Sequence, residues 1–509
     1  MAHKAAGQRP AGLMGLSTGH HGRASQGPSR RRGPSPYWWT GRRCRAFVGL
    51  VLRGVEADYL VVGAGAAGMA FTDALIDHRD VRVVLVDRRH SVGGHWLEAY
   101  PFVRLHQSST FYGVASTVLG GGRLQAHGPE VGLNQRANQP TICAYFDDVL
   151  SERMLASGRV EFFPSCEYLG NRSFVSRTSG QRFEVPARCR IVDAHYLAPD
   201  IPAETPPRFG VTDSARVISV NDLVRLEETP SQYVVVGSGK TATDACIWLL
   251  ARGVDPDAIC WVRPRDPWML NRAVIQPNPV IYLGMVADMM RAAREAASLA
   301  DLFLRLEDAG IMIRIDRSVT PVMAKAPTLG IWELEQLRTI DHVVRQGHID
   351  RVGRGRIDLA QGSIAIAPDA VVVNCAANGL KLRPRVPIWG PEAITLQPIR
   401  AGFPCFGAAL AGYVEATRGD DDEKNRLCPP SAFGNSLGDW ARMNVIGMRN
   451  SMSFGSEPDI KAWSDAVALN PARVPPDYGR SAELDDVVDL LQAHVGPGLA
   501  RLTELSAEP

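Results

Sequence analysis

The 509-residue sequence has nine cysteines but no C-x-x-C or C-x-x-x-x-C pair among them. That spacing provides neither a redox dithiol nor a disulfide framework, and it favours a reducing, cytoplasmic setting. The twelve histidines form no H-E-x-x-H motif and no Cys/His cluster, so no metal site is expected. Long apolar runs are missing as well. The best candidate, Ala46 to Leu52, stops at Arg53, well short of the roughly 18–20 residues that cross a bilayer. Acidic residues are absent from positions 1–55, which hold ten of the 56 Lys and Arg, so the rest of the chain carries a net charge of −8. A body of that sign gives no support to a nucleic-acid-binding surface.

Residues 1–54 are rich in Arg, Gly, Ser and Pro, with three arginines at 30–32 and no hydrophobic period. Such a segment cannot offset the entropy of ordering and is expected to be a disordered basic tail. Gly33-Pro34-Ser35-Pro36 follows the arginines where an export signal would need apolar chain, and an organelle leader is the other reading. The tail is expected to be dispensable, with a start nearer Val51 or Val55 one explanation for it. Over the full sequence, 45% hydrophobic and 22% charged residues match ordinary folded domains.

From Asp58 the text is that of a nucleotide-binding unit. The apolar run Asp58 to Val62 leads into Gly63-Ala64-Gly65-Ala66-Ala67-Gly68, a G-x-G-x-x-G turn. The glycines allow a tight turn, close approach to a pyrophosphate, and close packing of the following helix. That helix spans Met69 to Ile76, and a second strand, Val81 to Val86, ends in Asp87, a carboxylate placed to accept ribose hydroxyls. A second unit begins at Tyr233 to Val236 and continues through Gly237-Ser238-Gly239-Lys240-Thr241-Ala242. Val234 stands where a triphosphate-binding loop needs glycine, which excludes that motif. The strand Ile259 to Val262 then ends in Arg263-Pro264-Arg265, cations suited to a 2′-phosphate, so NADPH is expected there. Two such folds in one chain allow hydride transfer from a nicotinamide to a resident flavin.

The residues quoted, together with 87–104 and 369–379, resemble the NADPH-dependent class B flavin monooxygenases over roughly residues 56–410. The stretch containing Gly93-Gly94-His95-Trp96 and Tyr100-Pro101-Phe102-Val103-Arg104 is similar to their G-G-x-W…Y-P-G-x-R segment. Ala376-Ala377-Asn378-Gly379 is similar to their A-T-G turn. His106 and Phe102 replace the Asp and Gly of the Baeyer–Villiger members, and no linker histidine follows Phe209-Gly210, which marks a divergent branch.

The resemblance implies an α/β chain with a FAD-binding domain (55–225 and 369–470) and an inserted NADPH-binding domain (226–368); the spacing of apolar residues adds a helical insertion near 278–309, and 471–509 is read as a C-terminal helical extension. It implies oxygenation of a small organic molecule with O2 through a flavin C4a-peroxide. FAD would be held by Gly63, Gly65, Ala66, Ala67, Gly68, Asp87, Arg88, Gly94, His95, Trp96, Ala377, Asn378 and Gly379. NADPH would be held by Gly237, Ser238, Gly239, Lys240, Thr241, Arg263 and Arg265. Arg104, His106 and Gln107 are the candidates beside the flavin ring, His106 with a near-neutral pKa that would make its donation pH-dependent. The rival readings are an NAD(P)H:acceptor reductase and a non-catalytic nucleotide-binding protein. Gly434-Asn435-Ser436-Leu437-Gly438 has the spacing of an esterase nucleophile turn but lacks the preceding apolar strand, and Asp420 to Glu423 is read as a solvated loop.

Overall fold

Tyr59–Val62 and Tyr233–Val236 are runs of apolar, largely β-branched residues, and each becomes the central strand of a parallel five-stranded sheet in the computed structural model. The structure describes residues 52–377, 379–400, 402–431, 433–479 and 481–507. The expected disorder of 1–54 falls almost wholly outside them.

The first sheet runs in the order Ala393–Thr395, Arg190–Asp193, Tyr59–Val62, Val83–Val86, Val160–Phe163. In the second the order is Arg216–Ser219, Val371–Asn374, Tyr233–Val236, Ile259–Val262, Val343–Val344. Because side chains alternate along a strand, each sheet buries two faces. Leu60, Val62, Val84 and Val86 face a layer built on the antiparallel strands Cys166–Gly170, Ser173–Ser176 and Arg182–Glu184. Tyr59, Val61, Val83 and Leu85 face the helices. The second sheet repeats this plan, with Val234, Val236, Cys260 and Val262 packed toward the strands of residues 349–366.

The helices of both folds share one continuous apolar core, and the chain from Leu50 onward is a single compact unit. Two strands sit in a different sheet from the one expected. Arg216–Ser219 and Val371–Asn374, within the ranges read as the first fold, pair with each other in the second, the former at its edge and the latter between it and Tyr233–Val236. The chain returns to the first sheet only at Ala393–Thr395, a strand of three residues beside Arg190–Asp193. It is too short and too mixed to stand out in the sequence.

The helical insertion is a pair, Pro279–Glu295 and Leu299–Asp308, and it packs with Leu437–Gly455 and the C-terminal Ala482–Leu505. Ser436 caps Leu437–Gly455, its side chain accepting from Asp439 N at 3.0 Å, which accounts for that serine without a hydrolase. Asp421 is not in a solvated loop: it opens the helix Asp421–Leu427 and pairs with Arg190 and Lys424.

Ala66–His78, the helix that starts at the first glycine turn, is held from behind by Pro404–Thr417. A Cβ at Gly412 would overlap the carbonyl oxygen of Phe71. Gly412→Ala is therefore expected to cost about 1–3 kcal/mol by forcing the two helices apart. Urea unfolding measures this, and wild-type stability in the variant would contradict the packing described.

Candidate nucleotide and substrate sites

Gly63 takes φ +108°, and a Cβ on Gly68 would overlap the Gly63 carbonyl oxygen, so the turn closes only with glycine at both places. Gly94, at φ +59°, packs directly against it: a Cβ there would stand 2.9 Å from Gly65 Cα. Two bare backbones thus meet in the wall of a cavity of about 320 Å³. Ala66, Ala67, Asp87, Arg88 and His95 line it, as expected from the sequence. Asp87 is buried, its carboxylate accepting from Ala64 N at 2.7 Å and Arg89 N at 2.8 Å. One lone pair remains on each oxygen for a ribose hydroxyl.

Trp96 does not line this cavity. It is buried behind it and donates from Nε1 to Tyr112 OH at 2.6 Å, while Tyr112 forms part of the wall. Burial, with Arg89 nearby, pushes the His95 imidazole down to about 4. Ala377 and Gly379 follow a strand of the second sheet and lie off the cavity, where the neighbouring Leu380 and Lys381 take the expected place. Asn378 lies outside the described residues. Ala194 and His195 also line the wall. They follow the strand Arg190–Asp193, and no glycine motif marks them in the sequence.

The second turn repeats the backbone geometry, with Gly237 at φ +135° and Gly239 preceding the helix Lys240–Ala251. Lys240 turns back to form an ion pair with Asp244 one helical turn on. Thr241 and Asp244 both meet Tyr100, whose OH donates to Asp244 Oδ2 at 2.6 Å. The segment that leaves the first cavity is thereby tied to the helix opening at the second turn.

Arg263 and Arg265 are not brought together. Arg265 is exposed, whereas Arg263 is buried, 4.4 Å above the Trp261 ring and 2.8 Å from Asp266. Arg263 Nε and Nη1 are buried without a partner among the described residues. The companion of Arg263 is Arg345, which directly follows the neighbouring strand Val343–Val344, also pairs with Asp266 and lines the same hollow along with Arg317 and Arg338. Sequence reading missed Arg345 because 82 residues separate it from Arg263.

Of the three ring candidates, Arg104 is exposed, donates to the Arg136 carbonyl, and lines neither the nucleotide cavity nor the one beside it. His106 is held by its backbone carbonyl, which accepts from Arg272 Nε at 2.9 Å and from Thr328 Oγ1. Its Nδ1 accepts from Thr328 N at 3.4 Å. Burial, with Lys240, Arg272 and Arg136 close by, pushes the imidazole down to about 3. The near-neutral titration expected of it is absent, and His106 is a neutral ring at physiological pH.

Behind His106 lies a buried ionic cluster that the sequence did not announce. Arg272 pairs with Glu130 and, at 2.6 Å, with Glu333; Arg136 pairs with Glu130 at 2.9 Å and approaches Glu333 at 3.6 Å. Burial alone would raise the Glu130 carboxyl, but the two guanidinium groups outweigh it and hold it at about 2.

Gln107 is buried and opens onto a second, smaller cavity of about 90 Å³ whose walls are mostly apolar, among them Met285, Met289, Phe403, Trp440 and Met443. The two cavities share a partition. Leu396, Gln397, Pro398 and Pro404 face the nucleotide side, and Arg400, Gly402 and Phe403 face the apolar side.

Residues 61–107 match the family model described as an NAD(P)-binding Rossmann-like domain. Uncharacterised proteins of Mycobacterium tuberculosis (strain H37Rv) and Mycobacterium bovis are each 41% identical over 457 residues, 89% of this chain and 84% of theirs. Among solved structures, a closed form of cyclohexanone monooxygenase is similar at 14% identity and TM-score 0.45, over 87% of this chain and 98% of that one. A polycyclic ketone monooxygenase from Thermothelomyces thermophila is similar at 12% identity and TM-score 0.47, over 87% and 89%. A steroid monooxygenase bound to NADP gives 13% and 0.44, over 87% and 99%.

The titrations of these groups give a sign for stability against pH. His95 and His106 stay neutral in the fold to about 4 and 3, while in the unfolded chain they protonate near 6.5. Stability therefore falls as pH drops below 6.5, and below about 4.5 the loss steepens as Glu130 resists protonation. His106→Asn is expected to remove about one proton from the uptake on unfolding near pH 5. Urea titrations between pH 4 and 7 measure this; an unchanged slope in the variant would refute it.

Proposed function

The chain belongs to the same family as these mycobacterial proteins, and we propose that it is an FAD- and NADPH-dependent oxidoreductase that oxygenates a small organic molecule. The observation that carries the reading is the Tyr100–Asp244 hydrogen bond, which joins the exit of one nucleotide cavity to the helix start of the other. Two dinucleotides gripped at such a junction are positioned to exchange a hydride.

The first cavity fits FAD by the shape of its backbone. Gly65 and Gly94 put bare backbone in the wall, which a pyrophosphate can approach closely, the N-terminus of Ala66–His78 opens there, and Asp87 has capacity for the ribose. Bound there, FAD would accept a hydride from NADPH and supply the reaction with O2. The protein's own part is positional. Gly237 and Gly239 admit the NADPH pyrophosphate, and the unpartnered donors of Arg263, with Arg345, suit its 2′-phosphate. The amide of Gln107 borders the apolar cavity, and the neutral ring of His106 precedes it in the chain, held against Thr328. Because His106 Nδ1 accepts a hydrogen bond, its proton is on Nε2, where it can be donated. The apolar cavity excludes water from a substrate.

The purified protein is expected to show a flavin spectrum, to be bleached by NADPH without O2, and to recolour with consumption of substrate when O2 is admitted. Gly94→Val is expected to purify without flavin; a folded variant with full flavin content would overturn the assignment of the first cavity. Recolouring that releases all reducing equivalents as hydrogen peroxide, with every substrate tried, would favour the acceptor reductase. Arg345→Ala should reduce the preference for NADPH over NADH by about tenfold or more, whereas Arg265→Ala, at an exposed position, should leave it nearly unchanged. Steady-state kcat/KM for the two nucleotides decides this, and equal effects of both variants would remove Arg345 from the site.

A further inference from the structure

Arg400 stands on the apolar face of the partition between the cavities, and among the described residues it has no carboxylate partner. Its guanidinium lies 5.6 Å from the centre of the Tyr282 ring. Its hydrogen bonds go to neutral oxygens, from Nη1 to Asn470 Oδ1 at 3.3 Å and from Nη2 to Tyr282 OH at 3.5 Å. Both are long beside the roughly 2.7–2.9 Å of a charge-assisted bond to a carboxylate. Arg190 and Arg272, by contrast, each meet two carboxylates.

Three other polar side chains of the cavity already donate within the protein. Gln107 Nε2 donates to the Gly402 carbonyl, Asn444 Nδ2 to the Trp440 carbonyl, and Thr328 Oγ1 to that of His106. What faces the space is mostly thioether, aromatic and aliphatic surface, with one guanidinium at its edge. A guanidinium has five donors in a planar fork, and a half-buried one served by neutral oxygens alone gains most from an anion that accepts two of them.

We propose that this cavity binds a compact apolar carboxylate, the anion on Arg400 and the hydrocarbon body against Met285, Met289, Phe403, Trp440 and Met443. The assignment rests on reading the apolar cavity as the site of the molecule to be oxidised, and it names the chemical class of that molecule. Apolar walls discriminate weakly among hydrocarbon shapes, whereas a charged fork rejects the uncharged analogue that leaves it unpaired.

The test is calorimetric titration of the purified full chain with benzoate, cyclohexanecarboxylate and hexanoate, each beside its primary amide. At least one acid is expected to bind about tenfold or more tightly than its amide. Arg400→Gln is expected to abolish that preference while leaving the amide's affinity unchanged, and Arg400→Lys to keep part of it. No preference in any pair, no binding by any acid, or a preference that survives Arg400→Gln would overturn the proposal. If Arg400→Gln fails to fold, Arg400→Lys decides, since a preference wholly unaltered by loss of the fork would count against it. Flavin content and NADPH bleaching are read on the same sample. A normal flavin response without carboxylate preference sinks this proposal alone, and carboxylate preference in a chain that takes up no flavin sinks the oxygenase reading alone.

Discussion

Four buried charges, Arg136, Arg272, Glu130 and Glu333, hold together the parts of the chain on which the site depends. Arg272 follows the strand Pro267–Asn271 of the second fold, Glu333 lies in the first turn of the helix Ile331–Leu337, and Glu130 and Arg136 come from the long connection between Val83–Val86 and Val160–Phe163 of the first fold. None could be buried alone, because an unpaired ion in that setting loses its hydration with nothing in return. Satisfied together, they fix one arrangement of three segments, and the backbone carbonyl of His106 is pinned to Arg272 as a result. Their contribution is definition of geometry more than net stability, since an apolar cluster of equal volume would be at least as stable.

From that pinning follows the character of His106 and Gln107. Burial, with Lys240, Arg272 and Arg136 close by, keeps His106 neutral. Gln107, one residue on, borders the apolar cavity and reaches the Gly402 carbonyl at 3.5 Å. The ionic cluster thus fixes the backbone that carries a polar side chain into the wall of that cavity.

The two glycine turns, their strands and their helices were legible in the sequence because each rests on local physics: a β-branched run, a residue that tolerates positive φ, and an amphipathic helix. Asp87 and the paired insertion helices were legible for the same reason. Arg263 was read beside Arg265, which is close in sequence, whereas Arg345 is the arginine close to it in space. The Glu130–Arg272–Glu333 cluster left no signal, since its members are scattered over 204 positions and each looks like an ordinary surface charge. The sheet membership of Val371–Asn374 was misread for a related reason. An apolar run says that a strand is buried but not beside which strands it lies, and both sheets offer the same chemical surroundings.

The second fold enters the chain as an insertion whose two ends rejoin neighbouring strands, Arg190–Asp193 and Ala393–Thr395. Such a module could in principle be lost or exchanged without disturbing its host. The C-terminal helix removes that freedom. Ala482–Leu505 crosses Pro279–Glu295 so closely that Gly498 lies against the backbone of Met290, with no room for a side chain between them. That helix thus fastens onto a helix of the insert, and any recombination that swaps the inserted fold must bring a matching helix with it. In evolutionary terms the two nucleotide folds are inherited as one piece.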